Sequence, residues 1–499
     1  MRSNYRVWLA SFVMVCLSGG CGANHLTTTS TTPMMSSLKP PPQPPPPAPV
    51  IVNGTKKSIR NWVTCDGVTD DSLGVAQAFD AAKNNAFILE VDCPVFMHVG
   101  MDTTRTVFID NGTQVDFSAA GLIILDNILV PSFVIADTNN VTLTNWNVKY
   151  VGNLPINPMG QDGEYPAATF SGMVLTHWLT ANRDIKFIGQ ARAAWPGFVS
   201  ACAIFYLAGS TSNIDVEEMN VWVPQNAGGD HYVPMVFTMQ VLQTANQTVT
   251  TDVPLKSPYY AMPSNLTFSG ITLDGTYMGW QGNAADMRIS NVVSYRYGDL
   301  QDAHGENVGG NDDWFAPPHL FYLNYLPNGD PSLFNRNIVI ENVVDYGQRV
   351  GNPRDTNSGN CYSLKLGAYN GSVSNYVSFR PDGFMDVLWS TGLTLTNITA
   401  SYDSSFLHGT FPIIRFPGPP YHDVTFTNVK LQDTAENTDV DPIWGSNYAA
   451  DTNIIFNDTE VSLNQWTGND PPGYSPTVGS TKPYFAGIGN NVDIQYAHQ

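Results

Sequence analysis

Charge is scarce in this chain. Only 13% of its 499 residues are Asp, Glu, Lys or Arg, about half the usual share for a soluble domain. The 23 Lys and Arg against 43 Asp and Glu leave a net charge of −20. That excludes a nucleic-acid binder, whose affinity depends on neutralising phosphates with Lys and Arg. It does not exclude an acidic sugar, since a few local cations suffice in a cleft, and surplus acid is mostly a solubility feature. Cysteine is also scarce: there are six, with no Cys-x-x-Cys and no His/Cys cluster. A structural zinc site is therefore not expected, and neither is any cofactor. No apolar run is long enough for a transmembrane helix. The stretch Val7–Leu17 falls well short of the roughly 20 residues a span needs. What the chain does have is 42% hydrophobic residues, ample for a large core, under a surface built from Asn, Thr, Ser, Gly and Tyr.

Arg2 and Arg6 precede the Val7–Leu17 stretch, which is the layout of a signal peptide. Ser18, Gly19, Gly20 and Cys21 resemble a bacterial lipoprotein cleavage site. On that resemblance residues 1–20 are removed, Cys21 is lipidated, and the lipid is the only membrane contact. Gly22 differs from the Asp that retains such proteins at the inner membrane, which implies an outer-membrane or surface location. Plain secretion and an uncleaved anchor are the alternatives. Residues 22–50 are rich in Thr and Ser and end in PPPQPPPPAP, Pro40–Pro49, a semi-rigid polyproline spacer. The globular domain is expected over 51–499. An exported chain permits disulfides. Cys65 and Cys93 flank a predicted helix and can pair. Equally, Cys65, Cys93, Cys202 and Cys361 can serve as small buried apolar residues.

The rest of the chain repeats one pattern. A polar residue, usually Asn or Asp, opens an alternating apolar run, and a second Asn or small residue precedes another run. Copies are Asn140–Val148, Arg183–Ile188, Asn213–Val216, Asn265–Ile271, Asp286–Val292, Asn337–Val343, Leu393–Ile398, Asp423–Val429 and Asn453–Phe456. Alternation predicts strands with one face inward. Repetition without hairpin turns predicts a stacked solenoid rather than a sandwich or propeller. The recurring Asn suits amide stacking from coil to coil inside a bend, and Asn tolerates the positive φ a tight bend needs. Asn111, Asn140, Asn265 and Asn397 also open Asn-x-Thr sequons, which the repeat itself produces.

Ahead of the repeats stands CDGVTDD, Cys65–Asp71, running into SLGVAQAFDAA, Ser72–Ala82. Asp70, Asp71 and Ser72 are good N-caps, and Val75, Ala76, Phe79 and Ala82 fall on one helical face. This segment resembles the N-terminal part of the pectate-lyase-like superfamily. The resemblance implies an all-β, right-handed parallel β-helix whose open end is covered by that helix. Polygalacturonase-like hydrolases, several lyases and phage tailspikes share it, so it implies fold before reaction.

Function must come from the groove such a solenoid offers an extended chain. The longest mid-chain insertion, Tyr295–Pro327, carries Asp299, Asp302, His304, Glu306, Asp312 and Asp313 among Tyr297, Trp314, Tyr322 and Tyr325. Paired carboxylates are what glycoside hydrolysis needs, one as acid and one to activate water. Aromatic rings pack on sugar C–H faces. The same acids equally suit a solvated or calcium-binding loop. Asp302-Ala-His304-Gly305 and Ser363-Leu-Lys365 resemble degenerate polygalacturonase motifs. A second set, Arg349, Arg354, Lys365 and Arg380, is cationic. Lys365 as base with Arg380 or Arg349 on a sugar carboxylate resembles the Lys/Arg scheme of alginate-lyase and chondroitinase-like β-helix lyases, where calcium is a possible helper. These cations equally suit surface ion pairs. Arg415, His408 and His422 are weaker candidates. Acids outnumber cations in the loop-rich middle, so the leading expectation is an exported glycoside hydrolase acting within an extended, uronic-acid-containing polysaccharide. The expected catalytic residues are Asp299, Asp302, His304, Lys365 and Arg380. The expected substrate contacts are Arg349, Arg354, Tyr297, Trp314 and Tyr322. A uronate lyase and a carbohydrate-binding or adhesion solenoid are the alternatives.

Overall fold

A computed structural model of the chain describes residues 54–98, 105–125, 132–150, 204–222, 235–240, 242–243, 260–276, 278–298, 319–323, 333–350, 362–379, 383–402, 413–416, 421–433, 443–445, 452–463 and 485–486. It is a right-handed parallel β-helix. Strands on successive coils pair in parallel, and among the described residues one short antiparallel pair, Leu242–Gln243 with Tyr260–Ala261, stands apart.

Three sides build each coil. One side is a file of short strands, among them Phe133–Ala136, Phe205–Ala208, Met235–Gln240, Met278–Gly282 and Phe321–Leu323. It continues through the first residues of Leu364–Ser378 and Met385–Tyr402, then Ile414–Phe416 and Ile443–Gly445. The other two sides are formed where long strands such as Ser264–Asp274 bend.

The bends explain the recurring Asn. Asn140, Asn213, Asn265, Asp286, Asn337, Asn370 and Asp423 hold φ between 52° and 54° at the first bend. Asn145, Asn291, Asn342, Asn375, Asn397 and Asn428 hold φ of 52–57° at the second. L-residues other than Asn and Asp resist that region. The amides do stack: Asn342 Nδ2 donates to Asn291 Oδ1 (3.2 Å), Asn375 to Asn342 (3.0 Å), Asn397 to Asn375 (3.0 Å) and Asn428 to Asn397 (2.8 Å). They do so on the exposed side, not inside the bend as expected, because the interior is filled by apolar side chains. The sequon residues Asn265 and Asn397 spend their amide nitrogens in these ladders.

The interior carries an aromatic stack along the short-strand file. Phe133, Phe205, Phe237, Trp280 and Phe321 follow one another with centroids 5.6, 5.3, 5.3 and 4.9 Å apart. The helix Ser72–Ala82 closes this core, with Phe79 5.8 Å from Phe133 and 6.2 Å from Trp146. Its buried face is Val75, Ala78, Phe79 and Ala82; Ala76 is only partly covered. Capping also differs from expectation. Asp71 sits at the N-cap without a side-chain cap bond, because its carboxylate accepts from Thr64 N at 2.9 and 3.1 Å. Asp70 Oδ1 instead accepts from Ser72 N and Ser72 Oγ. Cys65 and Cys93 form a disulfide that ties the DGVTDD turn to the first coils. Cys202, Cys361 and the copy Arg183–Ile188 lie outside the described residues, as do the leader and the Pro-rich spacer.

Candidate functional site

In the short-strand file, every second residue alternates with the Phe133–Phe205–Phe237–Trp280–Phe321 stack. Register pairings align these positions coil by coil: Val134, Tyr206, Thr238, Gln281, Tyr322, Lys365, Asp386 and Arg415. The file is uncharged as far as Tyr322 and then reads Lys, Asp, Arg on consecutive coils. Neighbouring parallel strands lie about 4.8 Å apart, so alternating signs on adjacent strands attract directly.

Asp386 is the centre. Its side chain is 1% exposed, while Lys365 and Arg415 are 18% and 19% exposed. Arg415 donates Nε to Asp386 Oδ1 at 3.0 Å and Nη2 to Oδ2 at 2.8 Å. Lys365 Nζ lies 3.5 Å from the same Oδ2. Burial alone pushes the Asp386 carboxyl up; Arg415, Lys365 and His319 together outweigh it and hold it below the ordinary Asp value. Asp386 is therefore a fixed carboxylate with both oxygens engaged, unsuited to give a proton near neutral pH.

Aromatic rings back both cations. Lys365 Nζ sits 4.8 Å from the Tyr322 ring centroid, and the Arg415 guanidinium 5.3 Å from that of Tyr362. Such contacts attract a cation to the ring face. Burial raises the Tyr362 phenol, with Arg415 pulling it down and Asp386 pushing it up. His319 is 1% exposed, and its Nδ1 lies 2.7 Å from the Tyr362 carbonyl. Since a carbonyl only accepts, that nitrogen carries a proton and the ring is oriented. Just inside the wall, Ser363 Oγ is 2.6 Å from Asp345 Oδ2 and 2.6 Å from Tyr376 Oη, all three residues buried. This knot fixes the strand two residues before Lys365.

Lys365 lies in this cluster, ion-paired with Asp386. Tyr322 is 2% exposed and supports Lys365 instead of offering a free ring to a sugar. Tyr297 and Arg349 are register partners at the ends of their strands. Asp299, Asp302, His304, Trp314, Arg354, Arg380 and Cys21 lie outside the described residues. Sequence reading passed over Asp386, His319 and Tyr362, and ranked Arg415 low. Among the described residues no group of His, Cys, Asp and Glu is arranged to hold a metal ion.

No protein-family model matches the chain, and no curated protein matches it. Solved structures with similar folds include the family 28 exopolygalacturonase of Yersinia enterocolitica, at 13% identity over 88% of this chain and 78% of that one, with a TM-score of 0.43. Others are the A-module of the mannuronan C-5 epimerase AlgE6 of Azotobacter vinelandii and the Streptococcus pneumoniae surface protein and adhesin PfbA. The first shares 8% identity over 88% of this chain and 98% of that one, TM-score 0.34. The second shares 10% over 88% and 100%, TM-score 0.35. At these values the likeness carries no argument about activity. The parallel β-helix itself is evident from the strand pairing of this chain.

Proposed function

We propose that this chain is a polysaccharide-cleaving enzyme acting on an acidic, uronate-containing polymer, and that Lys365 and Arg415 hold the carboxylate of a bound sugar. The observation that carries this is the Lys365–Asp386–Arg415 ladder: two partly exposed cations fixed on the outer face of one sheet around a single buried carboxylate. Asp386 keeps the two cations in place, and both remain partly exposed for a sugar carboxylate to approach. Hydrolysis is the reaction assigned, with Asp299, Asp302 and His304 as the source of acid and base. β-Elimination is the second reading, favoured by the paired cations, because neutralising a uronate carboxylate acidifies the C5 proton beside it. Calcium would assist there. The work is done outside the cytoplasm, on a chain tethered through Cys21; the Cys65–Cys93 disulfide supports an oxidising compartment.

The test incubates the chain with polygalacturonate, alginate and neutral glucans, following new reducing ends and the ultraviolet absorbance of unsaturated uronates. Reducing ends without absorbance identify a hydrolase; both signals identify a lyase. Arg415→Gln raises KM on the acidic substrate at least about tenfold, the loss of one charge-assisted contact. An equal loss on an uncharged substrate, or no cleavage of any acidic polymer, overturns the proposal. Binding without cleavage points to an adhesion module.

A further inference from the structure

A different side of the solenoid carries a second aromatic stack, and this one ends in the open. Tyr295 and Tyr346 stack at 5.3 Å with ring planes 5° apart, and Tyr346 and Phe379 at 5.8 Å and 16°. Tyr295 is buried, whereas Phe379 is 46% exposed. Its backbone is fixed by Phe379 N donating to Asp345 O at 2.8 Å. Beside Phe379 runs a shallow groove of about 190 Å³, lined by Thr399, Ser401, Lys430, Gln432 and Glu460 of the following coils. Lys430 and Glu460, register partners on adjacent strands, lie 3.7 Å apart within it.

We infer that Phe379 and this groove form a sugar-binding subsite distinct from the charge ladder, taking the hydroxyl-bearing, uncharged part of one pyranose ring. The identification of a sugar rests on the polysaccharide reading above. A pyranose presents a C–H face and a rim of hydroxyls. Phe379 offers one exposed aromatic ring, held rigid by two rings behind it. The groove offers two hydroxyls, an amide and a charge-balanced Lys/Glu pair. A wholly apolar ligand would strip water from these polar groups without replacing it. A peptide strand would need an unpaired sheet edge, and here Ser378, Ala400 and Leu431 are already paired in succession. The volume is below the roughly 300 Å³ of an enclosed small-molecule site, which fits one ring held against a wall.

The subsite is also close to the ladder along the chain. Phe379 directly follows the strand Leu364–Ser378 that carries Lys365, and Phe384 directly precedes the strand Met385–Tyr402 that carries Asp386. The five steps between them span at most roughly 17 Å. A polymer long enough to engage both places gains avidity that a short oligosaccharide lacks.

The experiment is affinity electrophoresis of the full chain through gels containing polygalacturonate, alginate or galactomannan, at low and high NaCl. Phe379→Ala, Phe379→Trp and Arg415→Gln run beside the wild type. Phe379→Ala is expected to weaken retention in at least one gel by roughly 2–10-fold, the range of a single aromatic contact. That loss persists at high salt, where charge is screened, and Phe379→Trp restores retention. Arg415→Gln leaves the Phe379-dependent part intact. Phe379→Ala retained like wild type in every gel, or wild type retained in none, overturns the subsite. Loss with Arg415→Gln alone overturns the subsite while sparing the cleavage proposal. Phe379-dependent retention without cleavage of any polymer supports the subsite and removes the cleavage proposal.

Discussion

Replacing Asp386 by Asn tests whether the ladder is a real electrostatic unit. Asp386 Oδ2 lies 3.5 Å from Lys365 Nζ and 2.8 Å from Arg415 Nη2. At an effective dielectric near 20 those attractions are about 5 and 6 kcal/mol. Both cations approach the same oxygen, so these two nitrogens are no more than about 6 Å apart, and once the carboxylate is gone their repulsion at that dielectric is about 3 kcal/mol or more. Part of the attraction merely offsets the several kcal/mol lost on desolvating the carboxylate. The expected net cost of Asp386→Asn is therefore about 3–5 kcal/mol, the range for breaking a buried pair from one side. The assay is urea unfolding at pH 7 followed by tryptophan fluorescence, read as a midpoint shift at constant slope. Arg415→Gln added to Asp386→Asn removes one of the two opposed cations, so the double variant costs less than the sum of the singles. If Asp386→Asn stays within about 1 kcal/mol of wild type, or the two costs simply add, the ladder contributes no coupled energy and the argument for a fixed cation pair fails.

The same carboxylate sets an acid limit. The folded-state value of Asp386 is depressed, so its contribution is fully present above the ordinary Asp range and is lost as pH falls through the folded value. Stability measured by urea midpoint should be flat for this group from pH 7 to 5, decline below about pH 4, and decline less steeply in Asp386→Asn; identical slopes would contradict the assignment. The Cys65–Cys93 bridge closes a separation of 28 residues, for which loop entropy gives about 3–4 kcal/mol, so a Cys65→Ala/Cys93→Ala variant should unfold at lower urea, and an unchanged midpoint would show the bridge idle. Asn375 holds φ 52° and makes ladder bonds of 3.0 Å on both sides. Asn375→Ala should cost about 2–3 kcal/mol, and Asn375→Gly about 1 kcal/mol less, because Gly meets no steric penalty at that bend; an Ala variant as stable as the Gly variant would remove the backbone argument. Phe79→Ala should cost about 3–5 kcal/mol by opening the capped end of the aromatic stack, seen in the same titration.

The fold was legible because its constraints are local and repeated. Each bend demands a positive φ, each strand demands alternation, and both demands recur coil after coil, so Asn140–Val148 and Asp423–Val429 carry the same pattern. The capping helix was legible from Val75, Phe79 and Ala82. Its cap chemistry was not, since Asp71 bonds Thr64 N, a partner fixed by how the preceding turn folds back. The placement of the Asn ladders on the exposed side was also hidden, because alternation gives a period without saying which flank of a bend faces water.

The site was harder to see for a reason built into solenoids. Its residues are neighbours across coils, not along the chain: Lys365, Asp386 and Arg415 are separated by variable insertions, and nothing near Asp386 in sequence looks catalytic. A loop rich in Asp and His draws the eye instead. Yet the signal was there in the triplets Phe321-Tyr-Leu, Leu364-Lys-Leu, Met385-Asp-Val and Ile414-Arg-Phe. In each, apolar residues flank one outward position. Aligning coils on the flanking residues stacks Tyr, Lys, Asp and Arg into a column, and a column whose spacing is that of a parallel sheet is a contact prediction. Charge placed at such a position is under-used by folding alone, since a Thr or Gln there serves as well, as Thr238 and Gln281 show earlier in the same file. Three consecutive charges of alternating sign at positions where neutral residues suffice are the feature on which the proposed chemistry rests.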